Sequence, residues 1–272
     1  MQTSLENKVA VITGASSGLG RQLSLDLAAR NLRLVLADQD QSGLAETAAD
    51  AKLICPAVIS RRTDVTVEEE CRGLVKYAVK EFGQLDFLVL SAGISMWARF
   101  DEVSDLTMFN RLIRVNYLGA LHCIHAALPF LKESEGTIVA ISSLQGEIGI
   151  PHHTGYSASK HALNGFLEAL ELELGSQVRI LNIMPGWITG TNLRANAFKA
   201  GTRPGGRGAK SGKASVSVQE CSRTIVRSMQ TGARKLFIPR KLKGLLWLKV
   251  LAPGILRALI GRAVDAQQER CD

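Results

Sequence analysis

The cysteines of this 272-residue sequence do not pair: Cys55, Cys71, Cys123, Cys221 and Cys271 are odd in number, far apart and without a C-x-x-C unit. That scatter supports neither a disulfide framework nor a zinc site, and it suits a reducing compartment. Also missing is any run of about 20 uninterrupted apolar residues, so no spanning helix is expected. The stretch from Met1 to Lys8 has no apolar segment of the kind a secretory signal carries, and the expectation is a chain that folds in the cytoplasm. Histidine is scarce. The adjacent His152 and His153 point in different directions and have no third ligand beside them, so they are read as polar lip residues and no metal is expected. With 46% hydrophobic and 21% charged residues, disorder, collagen and coiled coil are excluded.

What is present is a charge imbalance and a regular alternation. Residues 1–193 carry 16 Lys and Arg against 21 Asp and Glu, a net −5, while residues 194–272 carry 17 against 4, a net +13. Short aliphatic runs at 9–13, 32–37, 57–60, 87–91, 137–142, 178–184 and 235–239 read as strands covered on both faces. Longer amphipathic stretches at 18–30, 43–51, 67–82, 106–131, 155–175 and 218–230 read as the helices between them. The expected fold is α/β: a single-domain, Rossmann-type doubly wound sheet of about seven parallel strands flanked by helices. It covers residues 1–239, and 189–217, rich in Gly, Arg and Lys, reads as a flexible substrate loop or lid. Residues 240–272 form a basic, hydrophobic C-terminal extension, which Pro253-Gly254 should split into two short helices. In the second, Leu256, Leu259, Ile260 and Ala263 follow the spacing of one apolar face, opposite Arg257, Arg262 and Asp265; in the first, Lys243 and Lys249 sit among leucines with no clean face.

The run Thr13-Gly14-Ala15-Ser16-Ser17-Gly18-Leu19-Gly20 follows the first strand and opens the first helix. Glycines permit the sharp turn and close approach that a pyrophosphate requires, and the helix start offers free N–H groups and a positive dipole end. Eighteen residues beyond Gly20, Asp38 ends the second strand. A carboxylate there accepts hydrogen bonds from ribose hydroxyls and repels a 2′-phosphate, which favours NAD over NADP.

Tyr156 and Lys160 are four apart on a helix and therefore share a face. A neighbouring ammonium favours phenolate over phenol and turns a tyrosine into a usable acid/base group nearer neutrality. Ser143 lies thirteen residues upstream, at the carboxyl edge of the sheet where ligands of such folds bind, and Ser142 competes with it for the role of substrate-orienting hydroxyl.

In these motifs residues 8–239 resemble the short-chain dehydrogenase/reductase family, nearest its hydroxysteroid dehydrogenase and lipid-carbonyl reductase branch. Thr13–Gly20 looks like the family's cofactor turn, Asp64-Val65 its adenine-side pair, Ser91-Ala92-Gly93 its Asn-Ala-Gly segment, and Pro185-Gly186 its turn after the sixth strand. The resemblance implies cofactor contacts from Gly14, Ser16, Ser17, Gly18, Leu19, Gly20, Asp38, Asp64, Val65, Ser91, Ala92, Gly93, Tyr156, Lys160, Pro185, Gly186 and Ile188. It also implies a catalytic tetrad of Asn116, Ser143, Tyr156 and Lys160. Tyr156 would move the proton, Lys160 would bind the nicotinamide ribose and tune Tyr156, Ser143 would orient the substrate and Asn116 would hold a relay water. Two positions depart from the family pattern. Ser91 stands where the family has asparagine, and Gly190 stands where it has the threonine that binds the carboxamide, leaving Thr189 or Thr191 to replace it.

The expected activity is hydride transfer between NAD(H) and a hydrophobic, steroid- or lipid-like secondary alcohol or ketone. The alternatives are a catalytically silent dinucleotide sensor, an NADP(H)-preferring carbonyl reductase, and, with less room in the chain, an epimerase or dehydratase. The resemblance implies a homodimer or homotetramer built on helices 106–131 and 155–175. The basic loop has no aromatic residue for base stacking, so no nucleic acid partner is expected. The tail suits either peripheral membrane contact through 240–266 or helices that cover the cleft or pair with another subunit.

Overall fold

The computed structural model of the chain describes residues 4–193, 196–198 and 215–268, the last four in backbone only. Its centre is one sheet of seven parallel strands: β1 (Val9–Thr13), β2 (Arg33–Asp38), β3 (Val58–Arg62), β4 (Phe87–Leu90), β5 (Thr137–Ile141), β6 (Arg179–Pro185) and β9 (Lys235–Ile238). Their order is β3-β2-β1-β4-β5-β6-β9, so the winding reverses between β1 and β4 and opens a crevice at the carboxyl ends of those strands. The inner strands are largely apolar because both faces are covered, while β3, at the edge, is exposed from Ser60 to Arg62. Ala10 and Ile12 of β1 and Leu34 and Leu36 of β2 enter one core, while Val9, Val11, Val35 and Ala37 enter the other.

The first core lies under α1 (Gly18–Ala28), α2 (Gln41–Ile54) and α7 (Val218–Gln230); the second lies under α3 (Glu68–Phe82), α5 (Gly119–Glu133) and α6 (Thr154–Leu174). The doubly wound, seven-stranded arrangement expected from the sequence is therefore the one observed. β3 extends two residues past the expected end, because Arg61 and Arg62 continue the ladder opposite Ala37 and Asp38; their charged side chains hid this at the sheet edge.

The helix expected over 106–131 is interrupted. It consists of α4 (Thr107–Ile113), a π-helical turn at Arg114–Leu118, and α5. The widened turn carries Asn116 inward, where its amide makes three hydrogen bonds, and such turns recur at functional sites.

A small parallel pair, β7 (Ile188–Thr189) with β8 (Val216–Ser217), closes the base of the 189–217 segment. Phe198 bridges to Met96, its N–H donating to the Ser95 carbonyl at 3.0 Å and its carbonyl accepting from Trp97 N at 2.7 Å. The described part of the expected lid is thus tied to the chain that follows β4, and residues 199–214 lie outside the described residues, as does Cys271.

In the tail, α8 (Gly244–Leu251) and α9 (Pro253–Gln268) divide at Pro253, as the sequence indicates. The inward stripe of α9 is Leu256, Ile260 and Val264, whereas Leu259 is 46% exposed, so the single face read from Leu256, Leu259, Ile260 and Ala263 is corrected. The helix packs along an i, i+4, i+8 line and leaves apolar residues on its outer side as well.

Candidate active site

The crevice at the carboxyl ends of the strands is a cleft of about 400 Å³. Every residue expected to contact a cofactor lines it, from Gly14 through Asp38, Asp64 and the 91–93 segment to Ile188, and so do Ser143, Tyr156 and Lys160. Asn116 does not; it lines a separate void of about 10 Å³ immediately behind, together with Thr13, Ile141 and Lys160.

The turn between β1 and α1 is shaped by backbone contact. Gly14 has φ +69°, and a Cβ there would lie 2.6 Å from Ala92 N, so only glycine fits against the chain leaving β4. A Cβ on Gly20 would run into the Gly14 carbonyl. Ser17 caps α1 without a side-chain hydrogen bond to the helix, which leaves the first-turn amides open toward the cleft. Asp38 closes the far end: its carboxylate accepts from Ser16 N and Asp40 N, both at 3.0 Å. The bonds near the ends of β1 and β4 are made by Thr13, whose hydroxyl donates to the Val89 carbonyl and accepts from Ala92 N. The substitution of serine at position 91 is thus accommodated beside a threonine bridge.

The start of α6 supplies Tyr156 and Lys160, both buried. Lys160 Nζ donates to the Ile141 carbonyl at 2.8 Å and lies 5.8 Å from the centroid of the Tyr156 ring. Burial pulls this ammonium down to about 8. The two candidate serines separate cleanly. Ser142 donates to Asn164 Oδ1 at 2.6 Å, so its hydrogen is spent on the protein interior. Ser143 Oγ accepts from Gln145 N at 3.1 Å, which fixes the oxygen while keeping its hydrogen for the cleft.

Asn116 acts as a clamp. Its Oδ1 accepts from Ile94 N and its Nδ2 donates to Ile94 O and to Ser159 Oγ, each at 2.9 Å. Ser159, fully buried, passes the connection to the Tyr156 carbonyl at 2.8 Å. Sequence reading missed Ser159, which stands inside the Tyr156-to-Lys160 segment and shows its role only once Asn116 arrives beside it. His153 differs from the lip position expected of it. It is 6% exposed, lines the cleft, and its ring lies 6.2 Å from that of Tyr156 and edge-on to Trp97 at 4.9 Å, so it is an interior wall and not a lip residue. His152, half-buried, stacks on Trp97 at 5.2 Å. The apolar wall holds Ile94, Leu144, Ile150, Trp187 and Leu193.

Of the two threonines that could replace the one absent at Gly190, Thr191 lines the cleft, whereas Thr189 donates to the Val216 carbonyl at 3.5 Å. Among the described residues, no three His, Cys, Asp or Glu side chains are grouped to hold a metal.

The model of the short chain dehydrogenase family matches residues 8–201. Among curated proteins, the chain is 34% identical over 254 residues to 11-beta-hydroxysteroid dehydrogenase A of Sesamum indicum, covering 92% of this chain and 73% of that one. Of 11-beta-hydroxysteroid dehydrogenase 1A from Arabidopsis thaliana, 38% identical over 185 residues, it spans about half, 53%. Among solved structures, a short chain dehydrogenase/reductase from Burkholderia phymatum in complex with NAD superposes with TM-score 0.81 at 25% identity, over 91% of this chain and 94% of that one. An alcohol dehydrogenase from the archaeon Thermococcus sibiricus, complexed with 5-hydroxy-NADP, gives 0.71 at 26% identity, over 85% and 95%.

Proposed function

Because the chain belongs to the short chain dehydrogenase family, we propose that it is an oxidoreductase acting between NAD(H) and a hydrophobic secondary alcohol or ketone. The observation that carries this reading is the buried Lys160 ammonium 5.8 Å from the Tyr156 ring, in one cleft with Ser143 and the glycine turn.

The residues present fit a nicotinamide dinucleotide. The open amides from Ser17 to Gly20 would hold its pyrophosphate, with Gly14 and Ser16 shaping the turn beneath. Asp38 would take the adenosine ribose, and Asp64 and Val65 the adenine side. Ser91, Ala92, Gly93 and Lys160 would surround the second ribose, and Pro185, Gly186, Ile188 and Thr191 the carboxamide end. When bound, the dinucleotide supplies or takes up the hydride.

The chain's own groups do the rest. Tyr156 moves the proton at the substrate oxygen, with the Lys160 cation favouring its phenolate form. Ser143 donates its free hydroxyl hydrogen to the same oxygen. Asn116 keeps the Ile94 segment and α6 in register, and the void beside it and Lys160 is roughly the size of one water, which suits a proton relay. The apolar wall supports a steroid- or lipid-like substrate. The buried free thiols Cys55, Cys71, Cys123 and Cys221 favour a reducing, cytoplasmic setting. Helices α4, α5 and α6 are the proposed contacts of a homodimer or homotetramer.

A second reading, preference for NADP(H), draws on Arg62, whose Cα pairs with that of Asp38. Its guanidinium is engaged by Glu70 at 3.4 Å, and the Asp38 carboxylate stands nearer the cleft, so NAD is the favoured coenzyme. The test is nicotinamide absorbance with each coenzyme against a panel of hydrophobic secondary alcohols and ketones. Turnover with NAD(H) is expected; tight coenzyme binding with no turnover across the panel would make the protein a sensor instead.

A further inference from the structure

The tail helix α8 has apolar residues on both sides. Leu242 just before it, with Leu245, Leu246 and Leu248, packs inward against Leu144, Met184 and Phe237. Outward stand Trp247 at 66%, Val250 at 74% and Leu251 at 77% exposure, joined on α9 by Ile255 at 58% and Leu259 at 46%. Trp247, Val250 and Leu251 share a face by their i, i+3, i+4 spacing, and so do Ile255 and Leu259 by i, i+4. A helix that is apolar all round belongs in a core or in contact with lipid, yet here half of its surface has no protein over it. The segment's charge is one-signed. Residues 240–264 contain Arg240, Lys241, Lys243, Lys249, Arg257 and Arg262 and no Asp or Glu. All six are exposed; Lys249 also ties the helix to the body through the Glu147 carbonyl.

We propose that the outer face of α8 and α9 docks on an anionic lipid bilayer surface. The apolar side chains enter the head-group boundary, Trp247 sits at the interface, and the cationic residues around them meet the lipid phosphates and carboxylates. Insertion is shallow, because no helix of the described residues is long and apolar enough to cross a membrane. A second copy of this chain is the poorer occupant: a two-fold contact through this face would set the six cations of residues 240–264 against their copies, with no Asp or Glu within those residues to offset them. The inner side of the same segment adjoins the cleft. Leu144 lines the cleft and belongs to the cluster that α8 packs on, and a Cβ on Gly186 would lie 2.7 Å from Leu242 Cδ1. Delivery of a lipid-soluble substrate from the bilayer would rest on the oxidoreductase reading above; the docking itself does not.

The experiment uses the full chain, without coenzyme or substrate, and vesicles of phosphatidylcholine with or without phosphatidylserine. Co-sedimentation with the mixed vesicles is expected, weakened by salt and by omission of phosphatidylserine, with a blue shift of fluorescence that Trp247→Phe abolishes. Leu251→Glu should lower the partition coefficient about tenfold or more, and the pair Lys241→Glu with Lys243→Glu should remove the preference for phosphatidylserine while coenzyme binding reports intact folding. Equal sedimentation of Leu251→Glu and the parent chain overturns the proposal. So does an oligomer that Leu251→Glu turns into monomers while neither protein binds vesicles, which would make the patch a self-association face. Vesicle binding without turnover would leave the docking standing and remove only the reading of the active site.

Discussion

The two walls of the cleft are built by different means. On the proposed coenzyme side most of the work is done by backbone, with Gly14 pressed against Ala92 and open amides at the start of α1, and one side chain, the Asp38 carboxylate, is itself held by Ser16 N. On the substrate side it is done by side chains from distant segments: His153 against Trp97, with Ile94 and Ile150, and Trp187 and Leu193 from beyond β6. The contrast implies that a common ligand with fixed geometry is recognised by local conformation, whereas selectivity is assembled from pieces free to vary independently. Tyr156 and Lys160 sit on the seam, one helix serving both walls.

The sharpest way to break this comparison is at the seam. Tyr156→Phe should lower turnover by about a hundredfold to ten-thousandfold while NADH binding, followed by fluorescence, stays nearly unchanged; a parallel loss of both would mean that the two walls are not separable. Next in size is Lys160→Met, read as stability against pH. The folded-state value of Lys160 is lowered to about 8 from 10.5, so at pH below about 8 the full cost of burying the charge is present, and it disappears as pH rises from about 8 to 10.5. Over that window the parent chain should gain about 3 kcal/mol relative to the methionine variant in denaturant titrations, and a flat difference would contradict the buried cation. Asp38→Ala acts on the coenzyme wall alone and should shift the ratio of kcat/KM for NAD over NADP toward NADP by about tenfold. Smallest is the contrast of neighbouring serines: Ser142→Ala should cost about 1 kcal/mol of stability through Asn164 and spare kcat, while Ser143→Ala should do the reverse.

What could be read from the sequence follows the same division. The alternation of strands and helices, the glycine turn, Asp38 and the Tyr156 and Lys160 pair are legible because each depends on residues close in the chain and on one period or another. The role of His153 was not, since a buried imidazole between Trp97 and Tyr156 exists only after Trp97, 56 residues earlier in the chain, comes beside it. Nor was the break in the 106–131 helix: a π-helical turn leaves the apolar periodicity nearly intact, and the three bonds that Asn116 makes from it are tertiary. The tail misled for another reason. Leu259 fits the apolar stripe by spacing, but the packing line on the body runs through Leu256, Ile260 and Val264, and spacing alone does not choose between two apolar sides.

The Asn116 amide has a consequence for anyone redesigning this chain. Facing Ile94, it imitates the donor and acceptor pair that an extra strand would present, and its second hydrogen reaches Ser159. Aspartate lacks both donors, serine and threonine lack the planar fork, and glutamine is a methylene too long for the same span. The position therefore has a vocabulary of one residue, and a library that shuffles it would be spending its diversity on failures, whatever chemistry is being sought in the cleft beyond.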